Sequence, residues 1–254
     1  MRGEPAAHGL EPHAARRALR EILEDCRVVS EPQLRRWGLD GAARQLELPY
    51  RVRTVRTRST QPHSAVTLRF VALDPHWLQR PGREVMHWAA AAELWLMGLI
   101  PGTGGWRVVD HRSGRRARVP DAEIIHAETG DHDTAVEVDT GYAKTKVATK
   151  LEAYAAMGYT RVLWGVTVHA QVLGVAHLAA ELLRTHRLSG VDRVYVRYIN
   201  FWDVRDPYHD RPRCHKPMLA AILGPDPTVR IAHPFVAGAL DARPWLRRPR
   251  LPRP

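Results

Sequence analysis

Asp121 follows Pro120 within a β-like run expected over 116–125, and Glu137 and Asp139 close a second run expected over 133–139. The polar stretch Glu128-Thr129-Gly130-Asp131-His132-Asp133 lies between them and reads as the turn of a hairpin that brings Asp121 close to Glu137. Side chains two apart on a strand share a face. Glu137 and Asp139 therefore point one way while Val136 and Val138 pack on the other. Carboxylates gathered at one point repel one another unless a cation lies between them, and hard cations such as Mg²⁺ or Mn²⁺ prefer oxygen donors. A cation so held positions and activates water and neutralises charge at a scissile phosphate. Acids on the polar face of a hairpin are also commonplace. What distinguishes these is their setting of basic neighbours, with a lysine-bearing helix directly after them.

The spacing predicts that helix over 143–158. Val147, Leu151, Tyr154 and Gly158 form the stripe that should face a sheet. Lys150 flanks the stripe at about 60° from its centre, so its stem can pack while its ammonium reaches the carboxylates. Lys144 flanks the other side in the first turn, and Lys146 points further out; a solvated helix face is the ordinary fate of all three. Glu93 falls among Met86, Ala89, Leu96 and Met97 on the apolar side of a helix expected over 83–99. A carboxylate there needs a partner, and either an arginine or a metal ion would serve. The catalytic candidates are thus Glu93, Asp121, Glu137 and Lys150. Asp121 and Glu137 are the metal ligands, and Asp139 and Lys144 are accessory.

The elements that must position these groups fall into two blocks. Residues 1–12 read as disordered. Helices are expected near 13–26, from Ser30-Glu31-Pro32 to about Gly38, and from Asp40 to Leu46. Ser30 is suited to cap the second of these, and Pro32 is tolerated in its first turn. Two β-like runs follow, so residues 13–75 have the order of a winged helix-turn-helix. Pro75 to Pro81 reads as a linker. Residues 83–200 alternate helix and strand as an α/β domain with some parallel pairing, and 201–254 form an Arg/Pro-rich extension. Arg51, Arg53, Arg56 and Arg58 crowd the first strand of the wing, where cations suit phosphate contacts or a charge-protected edge.

Bulk properties agree. The 254 residues carry 38 Lys and Arg against 27 acids, a formal charge of +11, which points to a polyanionic partner, nucleic acid first. No apolar run approaches the roughly 20 residues needed to span a bilayer, the N-terminus has no apolar signal core, and two cysteines give no disulfide framework. A cytoplasmic protein without membrane attachment is expected. His209, Cys214 and His215 match no standard zinc spacing, and no Gly-rich phosphate loop of the Walker type is present.

Pro120-Asp121 followed by Glu137-Val138-Asp139 resembles the PD-(D/E)XK nuclease superfamily, in which a helix Glu, a strand Asp and a following Glu-x-Lys surround a metal. Asp139 stands here in the place of the motif lysine, and Lys150 fits the arrangement in which that lysine has moved to the next helix. More narrowly, Glu137-Val138-Asp139-Thr140-Gly141 with Lys150-Leu151 and Tyr154 is similar to the replication-relaxation family of plasmid and mobile-element proteins, which also place a winged helix before a nuclease-like domain. The resemblance covers residues 13–200. It implies a restriction-endonuclease-like fold with a mixed central sheet and an Mg²⁺- or Mn²⁺-dependent endonuclease or nickase acting in plasmid replication or DNA processing. Two alternatives stay open. One is a catalytically inactive DNA-binding replication or transcription factor, favoured by the replaced lysine. The other is a DNA-binding subunit of a larger replication, mobile-element or defence complex; a homodimer is also compatible.

Overall fold

The computed structural model describes residues 11–96, 105–109, 119–125, 132–204, 219–223 and 227–232. Residues 1–10, the His209–Cys214–His215 group and the arginine-rich tail lie outside the described residues, as do the last positions of the helix expected to reach residue 99.

The first block runs α1 (Pro12–Cys26), β1 (Val28–Ser30), α2 (Glu31–Arg36), α3 (Asp40–Gln45), β2 (Tyr50–Arg56) and β3 (Ala65–Ala72). Its three strands form an antiparallel sheet in the order β1-β3-β2. The buried positions of α1, namely Ala15, Ala18, Leu19, Ile22, Leu23 and Cys26, recur every three or four residues, as one helix face against a core requires. Ser30 caps α2 as its residue type suggests: its hydroxyl accepts from Gln33 N–H while the Gln33 amide oxygen accepts from Ser30 N–H at 2.8 Å. The three-residue β1 has no sequence signature of its own and is added by pairing with β3.

The segment read as a linker folds instead as a short helix, α4 (Pro75–Gln79), with Asp74 capping it. There follow α5 (Gly82–Leu96), β4 (Gly105–Val108), β5 (Ala122–Ile125), β6 (His132–Asp139), α6 (Lys144–Ala156), β7 (Arg161–Val166), α7 (Gln171–Arg184), β8 (Arg193–Tyr198), β9 (Leu219–Leu223) and β10 (Val229–Ala232). The second sheet has seven strands in the order β10-β9-β8-β7-β6-β5-β4. Its five strands β4 to β8 make a mixed α/β sheet in which β6, β7 and β8 run parallel and the others antiparallel. The β9–β10 hairpin extends it from within the region read only as an extension.

Helices cover both faces of this sheet. Val136, Val138 and Leu163 pack toward α5 and α1, whereas Ala135, Val162, Trp164 and Val166 pack toward α6 and α7. The approach of α5 is close: a Cβ on Gly165 would lie 2.8 Å from Leu94 Cδ1, so this position must lack a side chain. One apolar cluster runs without a break from α1, β1 and β3 through α5 into β4, β6 and β7.

Within that apolar contact sits a charged pair. Glu93 on α5, 1% exposed, accepts from Arg36 Nη2 at 2.7 Å on both carboxylate oxygens, and from Gln33 Nε2 at 2.7 Å on one of them. Removing one partner of a buried pair leaves an uncompensated charge and typically costs about 3–5 kcal/mol. Glu93→Leu should lose about that much in urea denaturation, and Arg36→Met combined with Glu93→Leu should recover part of it. A double variant no more stable than Glu93→Leu would refute the pairing as the reason for the loss.

Candidate active site between β5 and β6

The site exists because β5 pairs with β6 only from Ala122 onward. At Asp121 the backbone N–H still reaches Val136 O at 2.9 Å, and then the side chain takes over: Asp121 Oδ2 accepts the Val138 N–H at 2.8 Å. A carboxylate thus occupies the place of a strand neighbour. Its other oxygen, Oδ1, meets His87 Nδ1 of α5 at 3.1 Å. Asp121 and His87 are both buried, and His87 Nε2 has no hydrogen-bond partner among the described residues.

Glu137 projects from β6 toward α6 and is fully buried. Lys150 Nζ lies 2.7 Å from its Oε1, and the Tyr154 hydroxyl donates to its Oε2. Lys150 Nζ also donates to Tyr154 Oη at 3.1 Å and to Val119 O at 3.4 Å. The helix period explains the pairing: residues four apart lie one above the other, so Lys150 and Tyr154 address one carboxylate together. Burial raises Glu137 from its ordinary 4.5 to about 7, with the charge of Asp121 adding to the rise and Lys150 and Tyr154 opposing it. Burial first, then Glu137, lifts Tyr154 well above its ordinary value, so it stays a phenol donor.

Asp139 is buried on the same strand but serves the turn. Its Oδ1 accepts from Gly141 N–H at 2.7 Å and Tyr142 N–H at 2.6 Å, and Oδ2 accepts from Trp164 Nε1 at 3.1 Å. Gly141 has φ +107°, which favours glycine. Tyr142 lies against the acids: burial first, then Glu137, Asp121 and Asp139, raise its phenol. The Lys146 ammonium stacks on Tyr142 at 3.4 Å from the ring centroid. Lys146 is lowered by desolvation first and then by Arg83 and Lys150. Exposed Arg83, Lys144 and Lys146 therefore form a cationic rim outside a buried acidic pair.

Lys150 pairs with Glu137, and Asp121 lies on the neighbouring strand, bonded to Val138 N–H and His87, while Asp139 holds the turn after β6. Glu93 is held instead by Arg36 and Gln33, and the α5 residue at Asp121 is His87, six positions earlier, about 9 Å along a helix axis. His87, Tyr142, Tyr154 and Arg83 are additions. A polar His in the apolar run Val85 to Leu96 was the available signal for the first. On β2, Arg51 and Arg56 are exposed and Arg53 is tied to Leu78 O at 2.9 Å, whereas Arg58 lies past the strand and donates to Gln61 Oε1 at 3.0 Å.

The donor set suits a hard cation in type, since it offers carboxylate oxygens, and the charge of Asp121 adds to the rise in Glu137 that burial causes first. Each oxygen already has a protein partner, so a cation would enter by exchange with His87, Lys150 or Tyr154. Among the described residues no group of three or more His, Cys, Asp or Glu side chains is placed to hold a metal ion. No protein-family model, curated protein or solved structure matches the chain.

The electrostatics can be checked by carboxyl ¹³C titration. Glu137 should titrate near 7; Lys150→Met should move it up and Asp121→Asn should move it down. Because its folded value lies above the unfolded one, this carboxyl adds stability below about pH 4.5 and loses it as pH rises through 7. Glu137→Gln should lack that component of the stability profile. Titration of Glu137 below pH 5 would overturn this account.

Proposed function

We propose that the chain binds duplex DNA through its first block, used as a winged helix, and cuts or nicks it at the β5–β6 site. The observation that carries this reading is the Glu137–Lys150 pair, with a lysine from the next helix 2.7 Å from the glutamate on the strand whose Val138 N–H donates to Asp121. The order α1-β1-α2-α3-β2-β3 with sheet order β1-β3-β2 supports the winged-helix part. The resemblance to PD-(D/E)XK nucleases and to the replication-relaxation family supports a role in plasmid or mobile-element DNA processing.

Asp121 and Glu137 are the residues to hold Mg²⁺ or Mn²⁺, which supplies charge neutralisation and water activation at a scissile phosphate. Lys150 places a positive charge where negative charge develops on the phosphate, a contribution of a few kcal/mol in comparable sites. Tyr154 fixes one Glu137 oxygen, leaving Oε1 facing Lys150. Exposed Arg83, Lys144 and Lys146 draw the strand toward the buried acids, and Arg51 and Arg56 give contacts on the hairpin that add affinity without sequence information. A second reading has a specific observation behind it. All four oxygens of Asp121 and Glu137 are already engaged by protein groups, as suits a site that has become structural in a non-catalytic DNA-binding factor.

Nicking of supercoiled plasmid with Mg²⁺, Mn²⁺ or EDTA separates the two. Asp121→Asn, Glu137→Gln and Lys150→Ala should each abolish metal-dependent nicking while DNA binding persists, whereas Lys146→Ala should only weaken it. Arg51→Ala with Arg56→Ala should lower affinity for every sequence and flatten the salt slope by about 0.9 for each phosphate no longer neutralised. Wild-type protein that binds DNA but nicks it with neither metal would decide for the non-catalytic reading.

A further inference from the structure

A separate cavity, of about 330 Å³, opens where the tip of the β2–β3 hairpin meets the end of β8. Its walls include Arg58, Gln61 and His63 from the hairpin and Tyr198, Trp202 and Asp203 from the end of β8 and the segment after it. Sites for small ligands commonly begin at about 300 Å³. The position is also one where α/β sheets place ligands. Asp139, Val166 and Tyr198 lie side by side at the carboxyl ends of three parallel strands, and ligands of open α/β sheets bind outside such ends.

The cavity is built from rigid parts. Asn200 Oδ1 accepts the N–H groups of Trp202 and Asp203 at 3.2 and 3.1 Å, Arg36 Nη1 donates to Asp203 O at 2.6 Å, and the Ser30 hydroxyl donates to Phe201 O. On the opposite wall the Ser64 hydroxyl accepts from Arg58 N–H at 3.1 Å and approaches Arg58 O at 2.8 Å, and Arg58 Nη1 donates to Gln61 Oε1 at 3.0 Å. Trp202 is half-buried and stands edge-on to Tyr198, with ring centroids 6.5 Å apart and planes at 88°.

We infer that this cavity seats one unstacked nucleotide of a DNA strand, its base against Trp202 and its phosphate toward Arg58. The inference rests on the DNA-acting role proposed above and adds a subsite to it. An aromatic ring gives a sequence-tolerant platform for a base, and a guanidinium recognises phosphate with a planar fork of donors. Asp203 adds selectivity, because a carboxylate accepts from the exocyclic amine of cytosine, which thymine lacks. Arg58 and Asp203 both line the cavity, one cation and one anion on opposite walls. Two strand spacings of about 4.8 Å separate β6 from β8. The subsite thus lies about 10 Å from the end of β6, a span of about three stacked nucleotides at 3.4 Å each.

The test is calorimetric titration of the full chain with dCMP, dTMP, inorganic phosphate and a single-stranded octanucleotide. It is followed in parallel by the Trp202 indole N–H signal, assigned by its loss in Trp202→Phe. Saturable binding of dCMP and of the oligonucleotide that shifts this signal is expected. Trp202→Ala and Arg58→Gln should weaken dCMP at least tenfold, Trp202→Phe less, and Asp203→Asn should erase the preference for dCMP over dTMP. Circular dichroism checks folding, and Trp202→Phe keeps an aromatic ring should the alanine variant unfold. Absence of dCMP binding, binding that leaves the indole signal unmoved, or phosphate binding as tightly as dCMP would overturn the proposal. Loss of plasmid nicking in Asp121→Asn tests the other site alone, so the two readings fail separately.

Discussion

The molecule turns on the requirement that a buried charge be answered. Glu93 sits on a helix whose neighbours, Ala90, Ala91, Ala92, Leu94 and Trp95, are buried apolar side chains. Desolvated there alone, its carboxylate would be costly. Arg36 answers it, and both side chains of the pair are only 2% exposed. Since Arg36 lies on α2 and Glu93 on α5, neutralising the charge fixes the first block against the second. The same guanidinium reaches Asp203 O, so the pair also sets the loop after β8. An all-apolar contact of equal area would bury as much surface without specifying this one register, which is the role polar pairs take where specificity matters.

β6 then divides the labour. Its alternation puts Val136 and Val138 under α5 and puts Glu137 and Asp139 under α6 and Trp164. A strand central in a sheet and covered on both faces should be apolar throughout. Two acids on one covered face therefore carry a desolvation burden that packing alone does not offset. Asp139 meets it with three hydrogen bonds from main chain and indole. Glu137 meets it less completely, and burial together with Asp121 lifts it to about 7.

Much of this was legible in the residues. Strand and helix periods located α5, β4 to β8, α6 and α7 to within a few positions, because those elements each have one or two buried faces that leave a period in the sequence. Ser30 and Gln33 marked the start of α2 for a local reason, and Lys150 could be aimed by counting 100° per residue. What could not be read depends on distant partners. β1 has three residues, too short for a period, and becomes a strand only through Phe70 to Ala72. The β9–β10 hairpin lies in a stretch whose composition is dominated by its flanks. Glu93 could be seen to need a partner, but whether that was Arg36 or a metal depended on a contact between residues 57 positions apart. His87 was hidden because an isolated histidine in an apolar helix says nothing of the carboxylate it will meet.

The hairpin tip connects these observations. Ser59 N–H donates to Thr140 O at 2.6 Å, Ser59 Oγ to the same oxygen at 3.1 Å, and the Thr167 hydroxyl to Thr57 O. Thr140 and Gly141 form the turn that Asp139 holds, and a Cβ on Gly141 would come within 3.7 Å of Thr60 Oγ1. The β2–β3 hairpin therefore rests on the turn that closes the acidic strand, one residue past Asp139 and three past Glu137. Main-chain groups make this contact, with no long side chain between hairpin and turn. Glu137 stands at the other end of a rigid strand segment whose oxygens are shared among Lys150, Tyr154 and the field of Asp121. The contact between hairpin and turn thus ties the first block to the strand that carries the acids of the second.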